Sequence, residues 1–118
     1  MRYALAFVLL SVLLLLPVAC TPSSSRELSG RYHAETDAGN SVLVLGPDGT
    51  FSQTVAAERI EGSWGYADGH VVIKPCLSVA RDGFGKRIDV CSMDASRTPV
   101  GVELSVDPDY GIAFRKQK

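Results

Sequence analysis

Histidine, methionine and tryptophan are scarce in this 118-residue chain, at two, two and one copies, and neither sign of charge dominates: 12 Lys and Arg stand against 13 Asp and Glu. Metal sites draw on three or four ligands, and the two histidines, His33 and His70, fall in different predicted strands, so no metal is expected. The near balance of charge leaves no basic face for a phosphate backbone, and nucleic acid is not an expected partner. A glycine-rich phosphate loop, a zinc-binding helix and a nucleophile elbow are all missing from the sequence. Glu58 with Glu61, and Asp107 with Asp109, are carboxylate pairs, but both lie beside predicted turns where acidic residues serve solubility. No catalytic residue and no cofactor is therefore expected.

Apolar residues make up 46% of the chain, and the N-terminus inflates that figure. From Ala4 to Leu16 the only polar residue is Ser11, after a start carrying one charge, Arg2. This apolar stretch is too short to cross a bilayer as a helix, which takes ~20 residues. The layout of a short positive region and an apolar region is that of a cleaved export signal over residues 1–19.

Leu16-Pro17-Val18-Ala19-Cys20 ends that segment and resembles the lipobox of bacterial lipoproteins. The resemblance implies that the Cys20 thiol receives a diacylglycerol and that cleavage follows on its N-terminal side. Val18 and Ala19 fit the pattern, whereas Pro17 stands where the family usually has Leu. Thr21, rather than Asp, follows the cysteine, which in that family goes with sorting to the outer membrane and a periplasm-facing domain. Residues 20–27 are polar and Pro/Ser-rich, and are expected to act as a flexible tether. Loss of residues 1–19 removes Arg2 alone among the charged side chains, leaving 11 basic against 13 acidic and a net charge near −2.

Residues 28–118 are predicted to form one all-β domain, because apolar residues recur with period two and turn residues recur at short intervals. Leu28, Gly30, Tyr32 and Ala34 alternate with polar neighbours, as do Ile60, Gly62, Trp64 and Tyr66, and Val100, Val102, Leu104 and Val106. Trp64 and Tyr66 are expected to be core aromatics of a sheet. Gly46-Pro47-Asp48-Gly49, Ala67-Asp68-Gly69 and Asp107-Pro108-Asp109 separate the runs with the chemistry of tight turns. No window after Cys20 carries a helical period. Short strands joined in sequence favour an antiparallel meander, and its open edges favour curling into a barrel or half-barrel of about eight strands.

The string Leu28-x-Gly30-x-Tyr32, then Leu45 to Phe51, Gly62-x-Trp64 and Asp68 to Ile73 resembles the pattern of small lipocalin-like barrel lipoproteins, among them envelope-stress and copper-homeostasis lipoproteins. It spans roughly residues 28–75 and implies a fold only, because the Cys-x-x-Cys of the copper-linked family is absent.

With Cys20 lipidated, Cys76 and Cys91 remain as a pair in an oxidising compartment, and a disulfide is expected. If the two face each other across a hairpin, Leu77 faces Val90, Val79 faces Ile88 and Asp82 faces Gly85. Gly83-Phe84 then forms a type II′ turn. That register sends Leu77, Val79, Ile88 and Val90 inward and places the disulfide on the outer face. At the tip, Phe84 lies between two glycines and is flanked by Arg81, Lys86 and Arg87. One reading is a solvated tip with Phe84 folded back on the sheet; the other is a preorganised protein-binding loop with Phe84 as anchor.

Two functions fit these features. One is a non-enzymatic, lipid-anchored binding lipoprotein, held to the membrane through Cys20, that inhibits or neutralises an envelope or toxin protein. The alternative is a lipocalin-like carrier or sensor of a small apolar ligand. Interior volume discriminates between them, since an eight-stranded barrel is either filled by its own side chains or just wide enough for one ligand.

Overall fold

A computed structural model describes residues 21–36, 38–80, 83–107 and 111–118. Residues 1–20, with the expected export signal and lipid-bearing Cys20, and residues 37, 81, 82 and 108–110 lie outside the described residues.

The chain opens with a one-turn helix, α1 (Ser25–Leu28), followed by β1 (Gly30–Thr36), β2 (Gly39–Leu45), β3 (Thr50–Val55), β4 (Glu58–Ala67) and β5 (His70–Lys74). Two short strands, β6 (Cys76–Leu77) and β7 (Arg87–Ile88), precede β8 (Cys91–Thr98), β9 (Gly101–Asp107) and β10 (Ile112–Lys116). Eight strands close into an antiparallel barrel in the order β1-β10-β9-β8-β5-β4-β3-β2, while β6 and β7 pair only with each other. Closure removes the open edges that a flat meander would carry. The expected eight-stranded barrel is thus the observed fold.

Period-two patterning places the side chains. Tyr32 and Ala34 of β1, Leu43 and Leu45 of β2, Phe51, Gln53 and Val55 of β3, and Val71 and Ile73 of β5 are buried, and the residues alternating with them are more open. Trp64 and Phe114 add two more aromatics to the interior, with Trp64 donating its indole N–H to the Gly46 carbonyl at 2.8 Å. The turn chemistry is as read. Asp68 and Gly69 both have positive φ (53° and 80°), as a type I′ hairpin requires. In the β2–β3 turn the Asp48 carboxylate accepts from Thr50 N–H and Oγ–H at 3.1 and 2.6 Å.

Three expectations need correction. Leu28 belongs to α1 rather than to a strand; it is fully buried, and its carbonyl accepts from the Tyr32 hydroxyl at 2.6 Å. Val100 is not on the inner face of a strand. It sits in the β8–β9 turn and is 77% exposed, because Thr98 pairs with Gly101 and the chain reverses through Pro99 and Val100. The segment expected to be a flexible tether is held on the barrel at Pro22 and again at Glu27: Pro22 is buried and its carbonyl accepts from the Tyr66 hydroxyl at 2.6 Å, and Glu27 pairs with Arg97, while Ser23 to Arg26 between them are exposed.

The barrel has two distinct ends. At one lie α1, the chain's exit after β10, and the β2–β3, β4–β5 and β8–β9 turns; we call it the proximal end. At the distal end lie the β1–β2 and β3–β4 turns and the excursion from Pro75 to Val90 that carries β6 and β7.

Candidate functional site

The excursion leaves the barrel where β5 ends and returns where β8 begins, and those two strands are neighbours, with Ile73 opposite Cys91. Residues 75–90 therefore interrupt no barrel pairing; they form a covering over the distal mouth. Cys76, Leu77 and Val79 are buried against the barrel interior. The Gln53 side chain, itself 2% exposed, points up from β3 and closes a cyclic pair with Leu77: its amide donates to the Leu77 carbonyl at 2.9 Å and its oxygen accepts the Leu77 N–H at 2.7 Å. A buried amide is stable here because both of its ends are matched.

Cys76 and Cys91 form a disulfide with Cα atoms 6.0 Å apart. The bond joins the base of the excursion to the first residue of β8. Its pairing is as expected but its register is not. Cys76 lies opposite Ile88 and Leu77 opposite Arg87, three residues away from the expected alignment. Cys76 is buried rather than on an outer face, while Ile88 and Val90, expected inside, are 40% and 48% exposed. The physical reason is that Cys91 is held in the β5–β8 ladder and cannot also serve as the hairpin partner of Cys76. The two-residue turn is replaced by a broader tip: Ser78 and Lys86 are linked by a backbone bond of 2.8 Å, Gly85 N–H reaches Ser78 O at 2.8 Å, and Lys86 N–H reaches Gly83 O at 2.8 Å.

At this tip Phe84 is half-buried, packed on the edge of the core. Its ring lies over Gly39, the first residue of β2, so close that a β-carbon there would stand 3.2 Å from two ring atoms. Phe84 thus folds back as a brace between excursion and barrel. Lys86, Arg87, Ile88, Asp89 and Val90 are exposed together along the return limb. Among the expected site residues, Lys86 and Arg87 share that surface, Phe84 lies beneath its edge, and Arg81 falls outside the described residues. Ile88 and Val90 are the members that sequence reasoning misplaced. Arg87-Ile88-Asp89-Val90 alternates equally well on either face, so only the register of the returning strand separates the two outcomes.

Beneath the excursion lies a small apolar cavity of about 180 Å³, bounded chiefly by Cys76, Leu77, Val79, Met93, Ile112 and Phe114, with Ile88 at its rim. Pockets for drug-sized ligands run to roughly 300 Å³ and above. The rest of the interior is occupied by Tyr32, Leu43, Phe51, Trp64, Leu104 and their neighbours. Outside the barrel a shallow groove runs between the β3–β4 turn, with Ala56, Ala57 and Glu58, and the tip residues Gly83 to Lys86.

Two of the remaining polar candidates each have a single partner. His70 pairs with Asp94 across β5 and β8 at 2.7 Å, and Glu61 pairs with Arg59 at 2.9 Å. Among the described residues no three His, Cys, Asp or Glu side chains gather closely enough to share a metal ion. Burial, helped by the charge of Glu27, pushes the Tyr32 phenol well above its usual range. That shift belongs to a hydroxyl donating within the barrel floor, not to a group facing a cleft. Comparison with protein-family models, curated proteins and solved structures yields no match to this chain.

Proposed function

We propose that this chain is a non-enzymatic binding lipoprotein of the bacterial envelope, anchored by lipid on Cys20 and facing the periplasm, most simply from the outer membrane. Its distal hairpin contacts a protein partner, and the activity that fits is inhibition or neutralisation of an envelope or toxin protein. The anchor rests on Leu16 to Cys20, and the lipocalin-like resemblance is carried only as far as the barrel. One observation carries the binding reading: Ile88 and Val90 are exposed at 40% and 48% beside Lys86 and Arg87 on a segment fastened at its base by a disulfide. Exposed aliphatic side chains beside cations, on a backbone that loses little freedom on docking, suit a partner with an apolar pocket and an acidic rim. Phe84 is not the anchor of this contact, since its ring already braces the hairpin against Gly39.

The carrier reading keeps one supporting observation, the cavity of about 180 Å³, which suits only a very small apolar molecule. The test is retention on the oxidised domain, residues 21–118, immobilised and exposed to envelope extract, with bound protein and lipid both identified by mass spectrometry. A protein retained by the wild type and lost from the Ile88→Asp/Val90→Asp variant supports the proposal. Retention of a small lipid without protein favours the carrier, and a protein retained equally by both forms refutes the hairpin as the site.

A further inference from the structure

At the proximal end the segment leading from Cys20 is fixed by four strands. Tyr66 of β4 holds the Pro22 carbonyl, Arg97 of β8 holds the Glu27 carboxylate through two of its nitrogens, Lys116 of β10 donates to the Glu27 carbonyl at 2.6 Å, and Tyr32 of β1 holds the Leu28 carbonyl. Glu27 also accepts the Ser23 N–H at 3.2 Å, so its side chain ties the segment to itself as well as to the barrel. Thr21 lies against the β4–β5 turn, its methyl 3.8 Å from where a β-carbon on Gly69 would stand. Cys20 is two residues from buried Pro22, a span of at most ~7 Å, whereas eight free residues would give a tether of roughly 27 Å. A lipid on Cys20 therefore brings this end of the barrel to the bilayer with almost no slack.

The same end carries the most exposed apolar side chain among the described residues. β5 starts opposite Asp94, and Ala95 N–H bonds to Gly69 O at 2.8 Å. β8 then runs on to Thr98, so the β8–β9 turn projects about four residues, or roughly 13 Å of strand, beyond the neighbouring β4–β5 turn. At its tip stand Pro99, exposed, and Val100, 77% exposed. The turn is stiffened by Thr98, whose hydroxyl donates to the Gly101 carbonyl at 2.8 Å. Arg26, Arg31 and Lys118 are exposed at the same end, against exposed Asp48 and Asp68. A projecting apolar tip at the end of the barrel that also exposes cations and leads to the lipid attachment point fits a phospholipid surface.

We infer that the barrel sits end-on upon the bilayer, with the β8–β9 turn entering the headgroup region through Val100 and the 76–91 excursion facing away from the membrane. This rests on the lipoprotein reading of Cys20 and adds an orientation to it: the anchor works as a mount, not a leash, and it presents Ile88 and Val90 to partners in the aqueous space.

The test uses full-length protein purified from membranes, its Cys20 lipid verified by mass spectrometry, in vesicles of phosphatidylcholine and phosphatidylglycerol with and without bromine on the acyl chains. Val100→Trp and Ile88→Trp each add one tryptophan to Trp64, which the wild type subtracts, and both positions are exposed enough to leave folding intact. The added emission of Val100→Trp is expected to fall roughly twofold in brominated vesicles while that of Ile88→Trp is unchanged, as for an aromatic at the interface against one in water. A Gly/Ser insertion after Thr21 is expected to restore the Val100→Trp signal. Quenching at neither site, or at Ile88→Trp, in protein that floats with the vesicles overturns the end-on seating and leaves the lipid anchor standing. Protein that carries no lipid and does not float overturns the lipoprotein reading and the orientation with it.

Discussion

Gln53 and Leu77 are paired as if the glutamine side chain were a length of backbone, one bond of 2.9 Å in one direction and one of 2.7 Å in the other. Through this pair a single side chain joins the barrel wall to the excursion above it. Replacing Gln53 with Leu or Met keeps the volume but leaves a buried N–H and a buried carbonyl unmatched, each costing about 1–3 kcal/mol. The expected loss is about 2–6 kcal/mol in urea unfolding, with fast hydrogen exchange at the Leu77 amide. A variant that unfolds with the wild-type midpoint would show that the excursion is held by the disulfide and apolar contacts alone.

Glu27 ties α1 to Arg97, and the sign of its pH effect follows. The Arg97 hydrogen bond, aided by Ser23 N–H and partly opposed by desolvation, holds the Glu27 carboxyl below its ordinary value of 4.5. The folded state therefore favours the ionised form, so the contribution is present above pH 4.5 and fades as pH falls through the lowered value. Glu27→Gln should lower Tm by a few degrees at neutral pH and flatten the stability profile below 4.5, in thermal scans across pH. An unchanged acid limb would assign the acid sensitivity to other carboxylates.

Phe84 and Ile88 sit on one hairpin but should respond in opposite ways. Phe84→Ala removes a half-buried ring from over Gly39 and should cost about 1–2 kcal/mol, less than a fully buried ring would. Ile88→Asp, at a side chain 40% exposed, should change stability by under ~1 kcal/mol. Partner retention should show the reverse order, with Ile88→Asp the more damaging. Chemical denaturation and the retention assay, run on the same preparations, separate a bracing residue from a contacting one.

The barrel was legible in the sequence because much of its information is local: alternation marks most strands, and Gly-Pro-Asp-Gly and Asp-Gly mark the β2–β3 and β4–β5 turns, whereas β8 carries no such run and was not legible. Cys76 and Cys91 were legible as a pair for a compositional reason, being the two cysteines left once Cys20 is set aside. The register around them was not, because the Gly83-Phe84 turn and the alternation of Arg87 to Val90 fit two alignments equally. What selects between those alignments is a distant fact, the pairing of Cys91 with Ile73 on β5. Pro22 and Leu28 were hidden for a similar reason. A Pro/Ser-rich run has the composition of a linker, and the groups that fasten it to the barrel, the hydroxyls of Tyr66 and Tyr32, 44 and 4 residues from their partners, and the Lys116 ammonium, lie outside it. The candidate site therefore lies where local signals are degenerate and long-range pairing decides.

Two glycines of β4 test how tightly that long-range pairing is packed. Gly62 faces inward where β4 crosses the start of the excursion. A β-carbon there would run into the Lys74 carbonyl and stand 2.9 Å from both the Phe51 ring and Pro75 Cδ. A carbonyl in the backbone cannot swing aside as a side chain can, so Gly62→Ala must move β4 or lift the excursion off the mouth. The cost should be about 3 kcal/mol, at the upper end of overpacking effects. Gly65, three residues on, is exposed, and nothing lies within 4 Å of the position a β-carbon would take. There the same methyl only restricts the unfolded chain, and Gly65→Ala should stabilise by about 0.5 kcal/mol. Urea titrations of the two variants should therefore move in opposite directions. If Gly62→Ala were as benign as Gly65→Ala, the excursion could not be seated at the depth that buries Cys76 and Leu77.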